Sequence, residues 1–194
     1  ENSAFRKWAR RSLFALAILA APAAYSEVAA TVTDRPEPGT LLGNYLAGRV
    51  ARGDHDTAAA ADFYSRALAE DPSNELILEQ AFLLETAAAD WDRAVELARE
   101  LVKVEPSHRI AQFLLGCDAF KRGDYKEADE HFSAARQGPI ADLTSILARA
   151  WVQQANGKTD QAFATLDTLS DADWAQFYQR YHRGLIADVA GKSD

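Results

Sequence analysis

Asp54-His55-Asp56 places three metal-ligating side chains in a row, and Cys117 is the one thiol of the chain. A metal centre needs three or four such ligands brought to one point. His55, His108, His131 and His182 are spread along the chain, and no two stand as His-x-x-x-His. Asp54-His55-Asp56 follows Gly53 and precedes Thr57, which is the composition of a turn and a helix cap. A turn is therefore the expected role. Glycines do not gather into a phosphate loop, and no serine stands in Gly-x-Ser-x-Gly. Cys117, between Gly116 and Asp118, reads as a small hydrophobe. Asp118, Glu127 and Glu130 read as solvated helix faces. The chain is expected not to be an enzyme and to hold no cofactor and no metal.

The elements that carry these residues are ordered by a repeat. From Ala60, steps of 34 reach Ala94, Ala128 and Ala162. A parallel series runs Gly48, Phe82, Gly116, Ala150 and Gly184. Pro72 and Pro106 form a third, with Pro139 one residue short. A fixed period of this length marks a stack of identical supersecondary units. Each unit reads as two helices. In the third, Ile110, Phe113, Leu114 and Cys117 fall at helical spacing. Arg122-Gly123-Asp124 then breaks the helix, and Asp124 caps the next one, with Glu127 three residues on. Proline ends the second helices at Pro72 and Pro106. No segment alternates with period two, so no sheet is expected. The small residues predict close packing: Gly48 and Gly116 should meet Ala60 and Ala128, while Tyr64 and Phe132 fill the gap to the next unit.

These residues resemble the tetratricopeptide repeat family, whose pattern places Leu-Gly, Tyr, Ala, Phe and Pro at set points in 34 residues. Leu115-Gly116, Ala128 and Phe132 carry the match in the third unit; Ala47-Gly48, Ala60, Tyr64 and Pro72 carry it in the first. Asn44, Leu78, Gln112 and Arg180 stand where the family prefers Trp. The resemblance implies an all-α solenoid of antiparallel helix pairs, about four and a half repeats long. The repeats fall near 41–74, 75–108, 109–142 and 143–176, with a truncated one over 177–194.

In that family the first helices line a concave groove that holds peptides. By register the residues there are Tyr45, Arg49, Glu79, Leu83, Phe113, Cys117, Phe120, Leu147, Trp151, Tyr178 and Tyr181. Phe113, Phe120 and Trp151 are expected to form one apolar patch bordered by Tyr178 and Tyr181. The Lys/Asn/Arg set with which some members grip acidic chaperone tails is absent. The implied partner is a protein or peptide, held by an interaction scaffold. Two alternatives stay open: a docking module of a larger protein, and apolar small-molecule or lipid binding in the groove.

Ahead of the repeats, Arg6, Lys7, Arg10 and Arg11 precede an apolar run from Leu13 to about Ala24, followed by Ala24-Tyr25-Ser26. That is the layout of a secretory signal peptide over 1–26, with a linker over 27–40. A retained anchor, an organellar transit peptide and a twin-arginine signal at Arg10-Arg11 remain alternatives. The implied location is periplasmic or otherwise exported. Together with the repeats, this layout resembles a group of uncharacterised, exported Gram-negative bacterial members of the family. Net charge is −8 over the whole chain, and residues 27–194 alone are more acidic still. That excludes a nucleic-acid partner. It also confines membrane contact to the signal segment before cleavage.

Overall fold

A computed structural model of the chain describes residues 39–169 and 172–192. The signal peptide expected over 1–26 lies outside the described residues, as does all of the linker but Gly39 and Thr40. Among the described residues there are nine helices and no strand. They are α1 (Leu41–Gly53), α2 (Thr57–Glu70), α3 (Glu75–Ala87), α4 (Trp91–Val104), α5 (Arg109–Arg122), α6 (Tyr125–Ala134), α7 (Pro139–Ala155), α8 (Thr159–Leu166) and α9 (Asp173–Val189). Each packs on the next, and α7 also touches both α5 and α9. The result is an all-α tetratricopeptide-type solenoid of four helix pairs followed by α9. No helix among the described residues is long and apolar enough to cross a membrane.

One turn geometry repeats at the end of every first helix. His55, Ala89, Gly123, Gly157 and Gly191, each 34 residues from the last, all have positive φ, from 62° to 80°. At each, the following residue's N–H reaches back five residues, as from Asp56 to Ala51 and from Asp124 to Ala119. This is the Schellman arrangement that satisfies the orphan carbonyls of a helix end. Asp56, Asp90 and Asp124 then cap the second helices, each side chain accepting the N–H three residues on. The turn reading of Asp54-His55-Asp56 is thus correct. Lys158 occupies the fourth such position and caps nothing, and α8 has only eight residues.

The packing inside each pair corrects the expectation of small against small. A Cβ on Gly48 would lie 2.7 Å from the Tyr64 ring, and one on Gly116 would lie 2.7 Å from the Phe132 ring. The rings do not fill the gap to the next unit; they lie over the glycines of their own pair. In the second pair the sizes are exchanged: Phe82 stands at the glycine position and Ala98 at the ring position, both wholly buried. The fourth pair has Ala150 and Leu166, again wholly buried. One large and one small residue thus fill each equivalent site, which keeps the local volume near constant. Ala60, Ala94, Ala128 and Ala162 are buried beside them.

Polar ties join successive pairs. Glu85 of α3 accepts from Ser65 of α2. Asp118, expected on a solvated face, is buried and accepts from Arg99, Trp91 and Arg122. Glu130 does lie exposed, while Glu127 is half-buried and paired with Arg122. Asp129 and Arg149 form a two-pronged pair between α6 and α7.

The helix bounds leave the 34-residue register at the α6–α7 junction and again at the α8–α9 junction, where α8 stops at Leu166 and α9 starts at Asp173. Thr40, Asn74 and His108 cap α1, α3 and α5 through their side chains. The next equivalent is Asp142, but α7 starts at Pro139, a turn early, and α6 stops at Ala134, a turn short of the α2 and α4 pattern. Pro139, one residue out of phase, marks the first of these places in the sequence.

Candidate functional site

Three sets of positions on the first helices share one sector, because three residues advance a helix by about 300° and seven by about 700°. The first set is Leu42, Leu76, Ile110, Thr144 and Tyr178, all exposed. Four of them are large and apolar or aromatic, with exposures of 59, 56, 40 and 41 %. The second is Tyr45, Glu79, Phe113, Leu147 and Tyr181; the third is Arg49, Leu83, Cys117, Trp151 and Leu185. None of these is fully buried. Apolar and aromatic groups thus recur at a 34-residue period on one sector of α1, α3, α5, α7 and α9, here called the band. Contiguous exposed apolar surface on a folded chain marks a contact site.

The expected site residues are distributed along this band. Tyr45, Glu79, Leu83, Phe113, Cys117, Leu147 and Trp151 are half-buried; Arg49, Phe120, Tyr178 and Tyr181 are exposed. Phe113 packs on Phe132, ring centres 5.0 Å apart, while Phe120 packs on Tyr125 at 5.8 Å. Trp151 belongs to the next core cluster and donates its indole N–H to His182 Nδ1 at 3.0 Å. The three aromatics therefore meet three different neighbours. Glu79 lies 3.8 Å from His108 Nε2.

α9 holds the densest part of the band. Trp174, Phe177, Tyr178, Tyr181, Leu185 and Val189 are all exposed, and Phe177 and Tyr181 stack. Relative to Gly184 these six lie between about 20° and 140° around the helix, on the sector of the three sets. The sector that faces the second helix in earlier pairs holds Arg180, Arg183, Gly184 and Ala187 here, and a Cβ on Gly184 would meet nothing within 4 Å. The apolar side of α9 lies on the sector of the band.

The other end is basic. Arg49 and Arg52 are exposed on α1. Arg49 leans over the Tyr45 ring, and Arg52 donates to Gln80. Among the described residues neither forms an ion pair, whereas Arg66, Arg93, Arg99, Lys103, Arg122, Arg136, Arg149, Arg183 and Lys192 all do. Burial pushes the Tyr64 phenol above its usual range, and the nearby Arg52 and Arg49 guanidiniums oppose that rise.

Sequence reasoning missed a cavity of about 370 Å³ at the first register break. Its lining is Arg109, Ile110, Phe113, Ala135, Ile140, Ala141, Thr144 and Ser145. Ile110 and Thr144 place it on the band, between α5 and α7. The short α6 and the early start of α7 create it. Among the described residues, Ser145 Oγ is buried with no hydrogen-bond partner. A larger cavity, about 810 Å³, lies off the band against α2 and α4, where Arg93 pairs with Glu96 and Lys103 with Glu100.

Burial raises the Cys117 pKa, which lowers its thiolate fraction. Among the described residues no His, Cys, Asp and Glu group could hold a metal ion. The geometry offers surface and charge.

No family sequence model and no curated protein sequence matches the chain. Solved structures do resemble it. A crystal structure of MamA protein superposes with TM-score 0.65 at 18 % identity, over 79 % of this chain and 84 % of that one. A second MamA structure gives TM-score 0.63 at 18 %, over 76 % and 86 %. A tetratricopeptide repeat protein from Parabacteroides merdae gives TM-score 0.61 at 19 %, over 84 % of this chain and 64 % of that one. At these identities the likeness is one of fold.

Proposed function

We propose that the chain is a non-enzymatic protein-interaction scaffold that works outside the cytoplasm and seats a partner's peptide or helix along its first-helix band. The observation that carries this is the exposed apolar series Leu42, Leu76, Ile110 and Tyr178. A chain that stayed alone would gain nothing from holding these groups in water at every repeat. Half-buried aromatic side chains beside them, Tyr45 and Trp151, provide the amphipathic rings typical of interfaces. The exported location rests on the basic and apolar pattern of 1–26.

Selection of displayed 16-residue peptides on the immobilised full chain tests the band. Selected peptides should lose at least about tenfold in affinity when Leu76 and Ile110 are both replaced by Glu, since each 1.4 kcal/mol is tenfold. Both side chains are exposed, so the fold should persist. Unchanged affinities would reject the reading. N-terminal sequencing of the protein from an envelope fraction tests export: a start near Glu27 supports it, and a retained leader contradicts cleavage.

A further inference from the structure

The band is chemically polarised along its length. Its α1 end presents Arg49 and Arg52, which have no carboxylate partner among the described residues of a chain whose net charge is −8. What sets these two apart is that they stand one turn from each other on α1. Its α9 end presents Phe177, Tyr181 and Val189, exposed by 65, 56 and 66 %. Between the two, the cavity beside Ile110 and Ile140 opens next to Arg109, which is exposed and, like Lys121, Lys158 and Arg180, has no ion pair among the described residues.

From this we infer that the partner is an extended segment of two-part chemistry, with carboxylates at one end lying on Arg49 and Arg52 and bulky apolar side chains at the other lying on the α9 aromatics. The inference rests on the proposed function and adds the partner's composition, polarity and length. Length follows from packing. At about 10 Å per step, the upper end of packed-helix spacing, the four steps from α1 to α9 cover about 40 Å. An extended chain rises about 3.3 Å per residue, so about 12 residues span the band. A helix rises only 1.5 Å per residue and would need about 27. The cavity, two and a half steps from α1, falls about eight residues from the acidic end. A large apolar residue there has a seat. Charge complementarity across such a surface fixes which way the segment lies.

Synthetic peptides against the full chain test this. One 14-residue peptide carries three Glu at its N-terminus and Leu-Phe-Tyr at its C-terminus, joined by a Gly/Ser spacer. A second reverses the order. A third has the same composition with the acids dispersed, and a fourth has a three-residue spacer. One of the first two should bind at least about tenfold more tightly than the dispersed and shortened peptides. Replacing both Arg49 and Arg52 by Glu should remove that advantage and flatten the salt dependence. Tyr181→Asp should weaken binding and leave the salt dependence intact. Both sites are exposed, and unchanged melting temperatures would exclude unfolding as the cause. Equal binding of ordered and dispersed peptides, or charge reversal without effect, overturns the inference. If displayed peptides bind the band but lack acids, the polarity fails while the scaffold reading stands. If none engages the band, both fail.

Discussion

Phe132 covers Gly116: the ring lies where a Cβ would otherwise stand, at 2.7 Å. Gly116→Ala should therefore destabilise by about 1–3 kcal/mol through overpacking. Gly184 is the same repeat position with open space around it, and Gly184→Ala should stabilise by about 0.5–1 kcal/mol through helix propensity. Opposite shifts of the urea midpoint would verify the pairing. The exchange seen at Phe82 and Ala98 supplies a sharper check. Gly116→Phe and Phe132→Ala should each be severe, and the double variant should lose less than their sum. Simple additivity would show that the two positions do not share one space.

The left-handed turn series gives a second pair of opposite effects. Ala89 holds φ at 62° with a Cβ, a conformation that costs an L-residue about 1–2 kcal/mol. Glycine's greater freedom in the unfolded chain takes back about 0.4–1. Ala89→Gly should thus stabilise by about 0.5 kcal/mol, and Gly123→Ala at the equivalent turn should destabilise by about the same amount or more. Thermal melts that move in the same direction would contradict the turn assignment.

Acidification should loosen α9. His182 accepts from the Trp151 indole N–H through Nδ1, and burial holds its pKa below the ordinary value near 6.5. Protonation needs a proton on the atom that accepts. The unfolded state takes up its proton first as pH falls, so the contribution is full above about 6.5 and is lost as pH drops through the folded pKa. His182→Gln keeps an acceptor and removes the titration. The difference in stability between the two proteins should narrow or reverse below pH 6.5, followed by indole fluorescence. A pH-independent difference would rule the contact out as the cause.

Cys117 should react slowly with iodoacetamide at neutral pH. Its pKa is raised by burial alone, and the thiolate is the attacking species. A rate at or above that of the denatured chain would show an environment unlike the one described.

Ala60, Gly48 and their equivalents made the solenoid legible, because a two-helix unit that must pack on its own copy puts small residues at fixed intervals. The same residues misled on detail. A glycine shows where space is needed but not which neighbour fills it, so the rings of Tyr64 and Phe132 were assigned to the wrong gap. The turn series was only partly readable: Gly123, Gly157 and Gly191 are in phase, but His55 and Ala89 hide the same geometry behind side chains. Asp118 looked solvated because its three donors come from Trp91, Arg99 and Arg122, two of them on a different helix. On the band, helical register placed the first-helix residues in one sector. It did not reveal the cavity at Ser145, which depends on α6 ending early and α7 starting early.

Hydrogen exchange on the full chain, with and without a saturating selected peptide, addresses the central claim most directly. A ligand seated on the band should slow exchange in α1, α3, α5, α7 and α9. It should leave α2 and α4, on the opposite side of their pairs, at their free rates. Protection confined to α2 and α4, around the cavity beside Arg93 and Lys103, would contradict the account.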